Sequence, residues 1–112
     1  MLHKMNLQPG PYKMIERGTK TIEMRLFDEK RQKINVGDII EFTNDATKET
    51  LEAKVLNLHR YKTFGELYLK FEKEKLGYES DEIAKPEDME QYYSKEKIEE
   101  FGVVGIEIEV IR

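Results

Sequence analysis

The chain changes its hydrophobic period twice, and this switch limits its possible folds more than any other feature. In the first sixty or so residues apolar and polar side chains alternate. Ile22, Met24 and Leu26 stand against Thr21, Glu23 and Arg25, and Leu51, Ala53 and Val55 against Glu52 and Lys54. A period of two puts one face of a strand in a core and leaves the other polar. From Phe64 the spacing turns helical, with Leu67, Tyr68 and Phe71 at i+3, i+4 and i+7 and Gly77 as a stop. The strand period returns at the end, where Ile106, Ile108 and Val110 alternate with Glu107 and Glu109. A strand-rich half, a helical insertion and a last strand predict an α+β fold, a small mixed β-barrel or curled sheet with short helices.

Local signals fill in the order. Residues 4–7 read as a first strand, and His3 as a disordered terminus. Pro11 opens a short helix whose apolar face is Tyr12 and Ile15, with Gly18 at its C-cap. The strand of residues 20–26 follows, then a charged turn with Asp28 as N-cap. Gly37-Asp38 turns the chain into a strand from Ile39 to Phe42. After a polar hairpin, residues 51–61 form a longer strand that bends beyond Val55, where Leu56 and Leu58 make both faces apolar. Pro86 starts a second helical region with acids in its first turn, and Ser94 caps a short helix ending at Gly102. The predicted order is β-α-β-β-β-α-α-β.

The chain has 112 residues, enough for one domain (1–112) with one modest core. Charged residues make up 38% of it, yet six Tyr and five Phe supply the apolar surface that a disordered chain lacks. There is no cysteine, which excludes disulfides and thiolate chemistry and suits a reducing, cytoplasmic setting. No apolar run approaches the length of a membrane span. The net charge of −4 is uneven: residues 1–62 hold 12 Lys and Arg against 9 Asp and Glu, and residues 63–112 hold 7 against 14. Such a distribution can leave a basic face on an acidic protein. Equally, the acidic half can be a pair of solvated helices or a protein-interaction surface.

The run Gly18-x-Lys20-x-x-Glu23-x-Arg25, with Gly37-Asp38-x-Ile40-x-Phe42 behind it and Gly102-Val-Val-Gly-Ile-Glu-Ile-Glu109 at the end, resembles the ASCH domain. This is the activating signal cointegrator homology domain of the PUA-like superfamily, and the likeness spans nearly the whole chain. It implies a small PUA-like barrel decorated by helices, with a cleft beside the GxKxxExR strand. It also implies RNA, or a nucleoside-like small molecule, as partner. Some small bacterial members are amidohydrolases that remove an acetyl group from the exocyclic amine of a modified cytidine, using a lysine, a threonine and a glutamate. On that pattern Lys20 takes the lysine position, Glu23 falls on the threonine position, and Glu74 or Glu72 is the nearby candidate for the helix glutamate.

The residues themselves carry two readings. Lys20 has the parity of Ile22 and Met24, so it either snorkels outward or points into a cavity. Glu23 and Arg25 share the other face, as a solvated ion pair or as ligand groups. Arg25 offers a planar donor fork to a phosphate or base edge, and Glu23 accepts from an exocyclic amine. A carboxylate beside Lys20 also holds it charged, which opposes nucleophilic use and favours binding. Lys30, Arg31, Lys33, Lys54 and Arg60 form either a phosphate-tracking rim or a solvated turn and strand face. Tyr92 and Tyr93 are candidate stacking surfaces, or core residues. His59 is a candidate acid–base or stacking group. No His or Cys set has metal-ligand spacing, and no phosphate-binding glycine loop or hydrolase triad is visible, so neither metal nor cofactor is expected.

Overall fold

The computed structural model describes residues 1–112. Five strands form one sheet: β1 (Leu2–Leu7), β2 (Ile22–Leu26), β3 (Ile39–Asn44), β4 (Thr50–Tyr61) and β5 (Val103–Val110), in the order β1-β3-β4-β5-β2. Only the β1–β3 pair is parallel. β1 and β2 are therefore the two edges, and the helix α1 (Pro9–Glu16) is the link between them. The sheet curls into a half-barrel, an α+β, PUA-like architecture. The curl has a local cause in β4, where the ladder to β5 slips between Val55 and Asn57, at the predicted bend. A bulge of this kind sharpens strand twist.

Two apolar clusters flank the sheet. Tyr12 and Ile15 of α1 pack with Met5, Ile40, Phe42, Val55, Val104 and Ile106. The alternate residues of β2, Ile22, Met24 and Leu26, pack with Phe64, Leu67, Leu76, Met89 and Val103 on the helical side. Gly105 lies where β5 passes against Ile22 and Leu67 of this second cluster. A Cβ there would stand 3.0 Å from Ile22 Cγ2 and 3.3 Å from a Leu67 methyl.

The helical insertion departs from the predicted single helix over residues 64–76. It breaks into α2 (Phe64–Tyr68) and α3 (Lys73–Leu76), although residues 69–72 contain no glycine or proline. Tertiary contacts decide the break. Phe71 packs edge-on against the His59 ring, 5.0 Å away, and Leu76 enters the second cluster, whereas Leu69 is left exposed. Thr63 caps α2 by accepting from the Glu66 N–H. Residues Pro86–Gln91 form a 3-10 turn rather than an α-helix, and Ser94 caps α4 (Lys95–Phe101) as its sequence suggests. His3 is not disordered. It sits in β1 with its ring nitrogen 2.8 Å from Asp38, in the turn before β3. Sequence proximity to a terminus is a poor guide when the segment is an edge strand.

Candidate functional site

β2 supplies the charged residues of a cleft. Its apolar parity is spent on the second cluster, so Glu23 and Arg25 turn toward the gap between the two edge strands. Arg25 donates through Nε to Glu23 Oε2 at 2.7 Å and through Nη2 to the Asn6 carbonyl of β1 at 3.0 Å. Lys20 stands just before β2 and is 6% exposed, and Glu23 is 5% exposed. The Lys20 ammonium donates to the Leu76 carbonyl at 2.9 Å and lies 3.3 Å from Glu23 Oε1. Glu23 therefore has one cation on each oxygen. Burial alone would raise its carboxyl, but the adjacent Lys20 and Arg25 charges outweigh that and hold it below its ordinary value. The Arg25 guanidinium is likewise opposed by burial and carried upward by Glu23.

The end of α3 builds the Lys20 socket. Gly77 takes a left-handed conformation at φ 104°, which stops the helix and leaves the Leu76 carbonyl free to accept. A Cβ on Gly77 would sit 3.0 Å from Lys20 Cδ and 3.2 Å from Nζ. The backbone of Thr21 donates to the Lys75 carbonyl at 3.0 Å, which locks the socket to the approach to β2.

Lys20, Glu23 and Arg25 are part of the lining of a cleft of about 470 Å³, together with Asn6, Tyr68, Tyr78, Asp88, Tyr92 and Tyr93. Its volume is that of a typical small-molecule site. Tyr68 and Tyr78 hydroxyls are 2.8 Å apart, and the Tyr78 hydroxyl donates to Asp88 Oδ2 at 2.8 Å. Burial raises both phenols, and for Tyr78 the neighbouring Tyr68 and Asp88 add to the rise. Tyr93 is raised by burial against the opposing pull of Arg25, and its ring stacks with Phe64 at 6.1 Å. Tyr92 is half-exposed on the rim.

The structure thus brings five sequence candidates together, Lys20, Glu23, Arg25, Tyr92 and Tyr93. It does not bring Arg60 or Glu74 to them. Arg60 lies over the Phe27 ring at 4.0 Å, so its guanidinium covers an aromatic face instead of the cleft rim. Glu74 sits in the first turn of α3 outside the cleft lining, and Glu72 is the exposed N-cap of the same helix. Arg31 is turned back onto Asp28 at 3.1 Å. His59 pairs with Glu107 at 2.8 Å on the β4–β5 ladder. Tyr68, Tyr78 and Asp88 escaped sequence reasoning. Tyr68 carries a helical apolar period, Tyr78 lies in an irregular segment, and Asp88 reads as an acid in the first turn of the helical region at Pro86.

Residues 5–112 match the ASCH domain. The chain belongs to the ASCH domain family. Two solved structures share this ASCH fold over essentially their full length. One is the crystal structure of hypothetical protein PH0355, 36% identical, with a TM-score of 0.83 over 99% of this chain and 100% of that one. The other is the solution structure of protein PF0455 from Pyrococcus furiosus, 32% identical, with a TM-score of 0.76 over 100% and 99%. No curated protein matches this ASCH chain. No helix is long and apolar enough to cross a membrane.

Proposed function

We propose that this ASCH domain binds RNA, or a nucleoside-like ligand, by drawing one base into the cleft beside β2. ASCH domains are commonly proposed to be RNA-binding modules, which agrees with this reading. The observation that carries it is the buried Lys20–Glu23–Arg25 triad beneath an aromatic wall. Holding three charges out of water is costly, and a fold seeking only stability does as well with apolar side chains. The fixed donors of Arg25 suit a base edge, and Tyr92 and Tyr93 offer ring faces for stacking. A neighbouring hollow shares Tyr92 and Tyr93 and is edged by Lys30 and Lys97 beside Asp28 and Glu29, so the chain beyond the base has a path there with two cations for its phosphates. Titration of a labelled single-stranded RNA of about eight nucleotides tests the reading. Saturable binding that Arg25→Ala weakens at least about tenfold supports it, and no binding at low salt removes it.

A second reading, hydrolysis of an acylated nucleoside, draws on the same buried Lys20–Glu23 pair. There the lysine must take up a proton, whereas Nζ here donates to Leu76 and faces Glu23. Release of cytidine from acetylated cytidine, abolished by Lys20→Ala, is the result this reading requires.

A further inference from the structure

We propose that the Tyr68–Tyr78–Asp88 relay fixes the hydrogen-bond polarity of the cleft wall, so that the site selects bases carrying an amino group over their oxo counterparts. This rests on the nucleoside-binding reading above and names the ligand class it takes. A tyrosine hydroxyl has a single proton and two lone pairs. The partners of Tyr78 beyond Tyr68 are Asp88 Oδ2 at 2.8 Å and the Lys85 carbonyl at 3.3 Å. Both are acceptors, so the Tyr78 proton is spent on one of them whichever it chooses. Tyr78 must then accept from Tyr68, 2.8 Å away, and the one Tyr68 proton is spent in turn. Only lone pairs are left on the Tyr68 oxygen, and Tyr68, Tyr78 and Asp88 all line the cleft. This relay can accept a hydrogen bond from a ligand but cannot donate one.

The charges of the lining agree. The cleft holds two cations, Lys20 and Arg25, against four carboxylates, Glu23, Asp45, Glu82 and Asp88. With Glu23 already neutralised by its two partners, the remaining acids disfavour a phosphate inside the cleft and favour an uncharged, donor-bearing group. An amino group meets the wall with protons. A carbonyl in the same place sets lone pair against lone pair, and the wall has no proton to relieve it.

Two nucleoside pairs that exchange an amino group for an oxo group, with the adjoining ring nitrogen changing from acceptor to N–H donor, provide the probe: cytidine with uridine, and adenosine with inosine, each titrated by calorimetry. In both pairs the amino member is expected to bind about fivefold to tenfold more tightly, the scale of one well-placed hydrogen bond. Tyr78→Phe removes the acceptor for the Tyr68 proton and frees that proton for the ligand, so the preference should fall below about twofold. Tyr68→Phe removes the lone pairs that face the ligand, and it should relax the preference in the same way if Tyr78→Phe proves unstable. Equal affinity within both pairs, tighter binding of the oxo members, or a preference that survives both variants would overturn the relay while leaving nucleoside binding in place. Failure of all four nucleosides to bind would remove the binding reading and this inference with it.

Discussion

Arg25 on β2 donates to the carbonyl of Asn6 on β1, 3.0 Å away, and so bridges the two edges of the half-barrel. The same guanidinium holds Glu23 at 2.7 Å. One side chain therefore serves as the tie between the sheet edges and as the cation at the cleft. Arg25→Ala leaves Glu23 with Lys20 alone and frees the edge carbonyl. Breaking one side of a buried ion pair costs about 3 kcal/mol, and a loss of that order is expected in urea unfolding. Arg25→Lys should recover only part of it, because one ammonium lacks the fork that reaches both partners.

Replacing all three charges together is predicted to behave differently. A Lys20→Met, Glu23→Leu, Arg25→Met variant removes the desolvation cost along with the pairing. Its stability should lie within about 2 kcal/mol of the parent. Ligand binding should be lost entirely. Equal losses of stability in the triple and the Arg25→Ala variant would mean that the triad is retained for the fold.

The acid limb of stability should report Glu23. Its folded pKa lies below the unfolded one, so its contribution is fully present above an unfolded value of about 4.3 and disappears as pH falls through the folded pKa. Asp38 acts in the same direction, pulled down to about 2 chiefly by its hydrogen bond to His3. Urea midpoints from pH 7 to pH 2 should thus fall steadily below about pH 5. Glu23→Gln should lower the neutral-pH plateau and flatten that fall. An acid limb unchanged by Glu23→Gln would contradict the charge assignment.

Gly77→Ala tests the socket. The substitution meets both a φ of 104° and a Cβ 3.0 Å from Lys20 Cδ. The left-handed conformation alone costs about 1–2 kcal/mol, and the contact adds displacement of Lys20. Thermal melting should drop accordingly, and ligand affinity should fall with it. Gly37→Ala, also at positive φ but with open space around its Cβ, should lose stability without losing affinity.

The salt dependence of RNA binding should be shallow. Contact through Lys30 and Lys97 alone corresponds to about two phosphates and a log–log slope of about −1.4. A slope steeper than about −4 would indicate a backbone-tracking surface elsewhere.

Much of this arrangement was legible in the residues. Alternation along Ile22, Met24 and Leu26 put Glu23 and Arg25 on the other face, and the resemblance in GxKxxExR pointed to a cleft. Ser94 and the bend after Val55 follow from local chemistry. Other features depend on contacts between distant segments, which no local pattern encodes. Helix 64–76 breaks because Phe71 finds His59 and Leu76 finds the core. Arg60, which read as a rim cation, finds Phe27. The relay joins residues 68, 78 and 88 from three segments, so its members looked like an apolar helix residue, a loop residue and an acid at a helix start.

The most direct measurement is where a ligand sits. In an NMR titration of labelled protein with a short single-stranded RNA, the account predicts saturable shifts at the Lys20 ammonium, the Arg25 guanidinium and the backbone of Tyr92 and Tyr93, with Arg25→Ala suppressing them. Saturable shifts confined to the acidic helix α4 or to the β4–β5 face, leaving Lys20 and Arg25 unmoved, would contradict it.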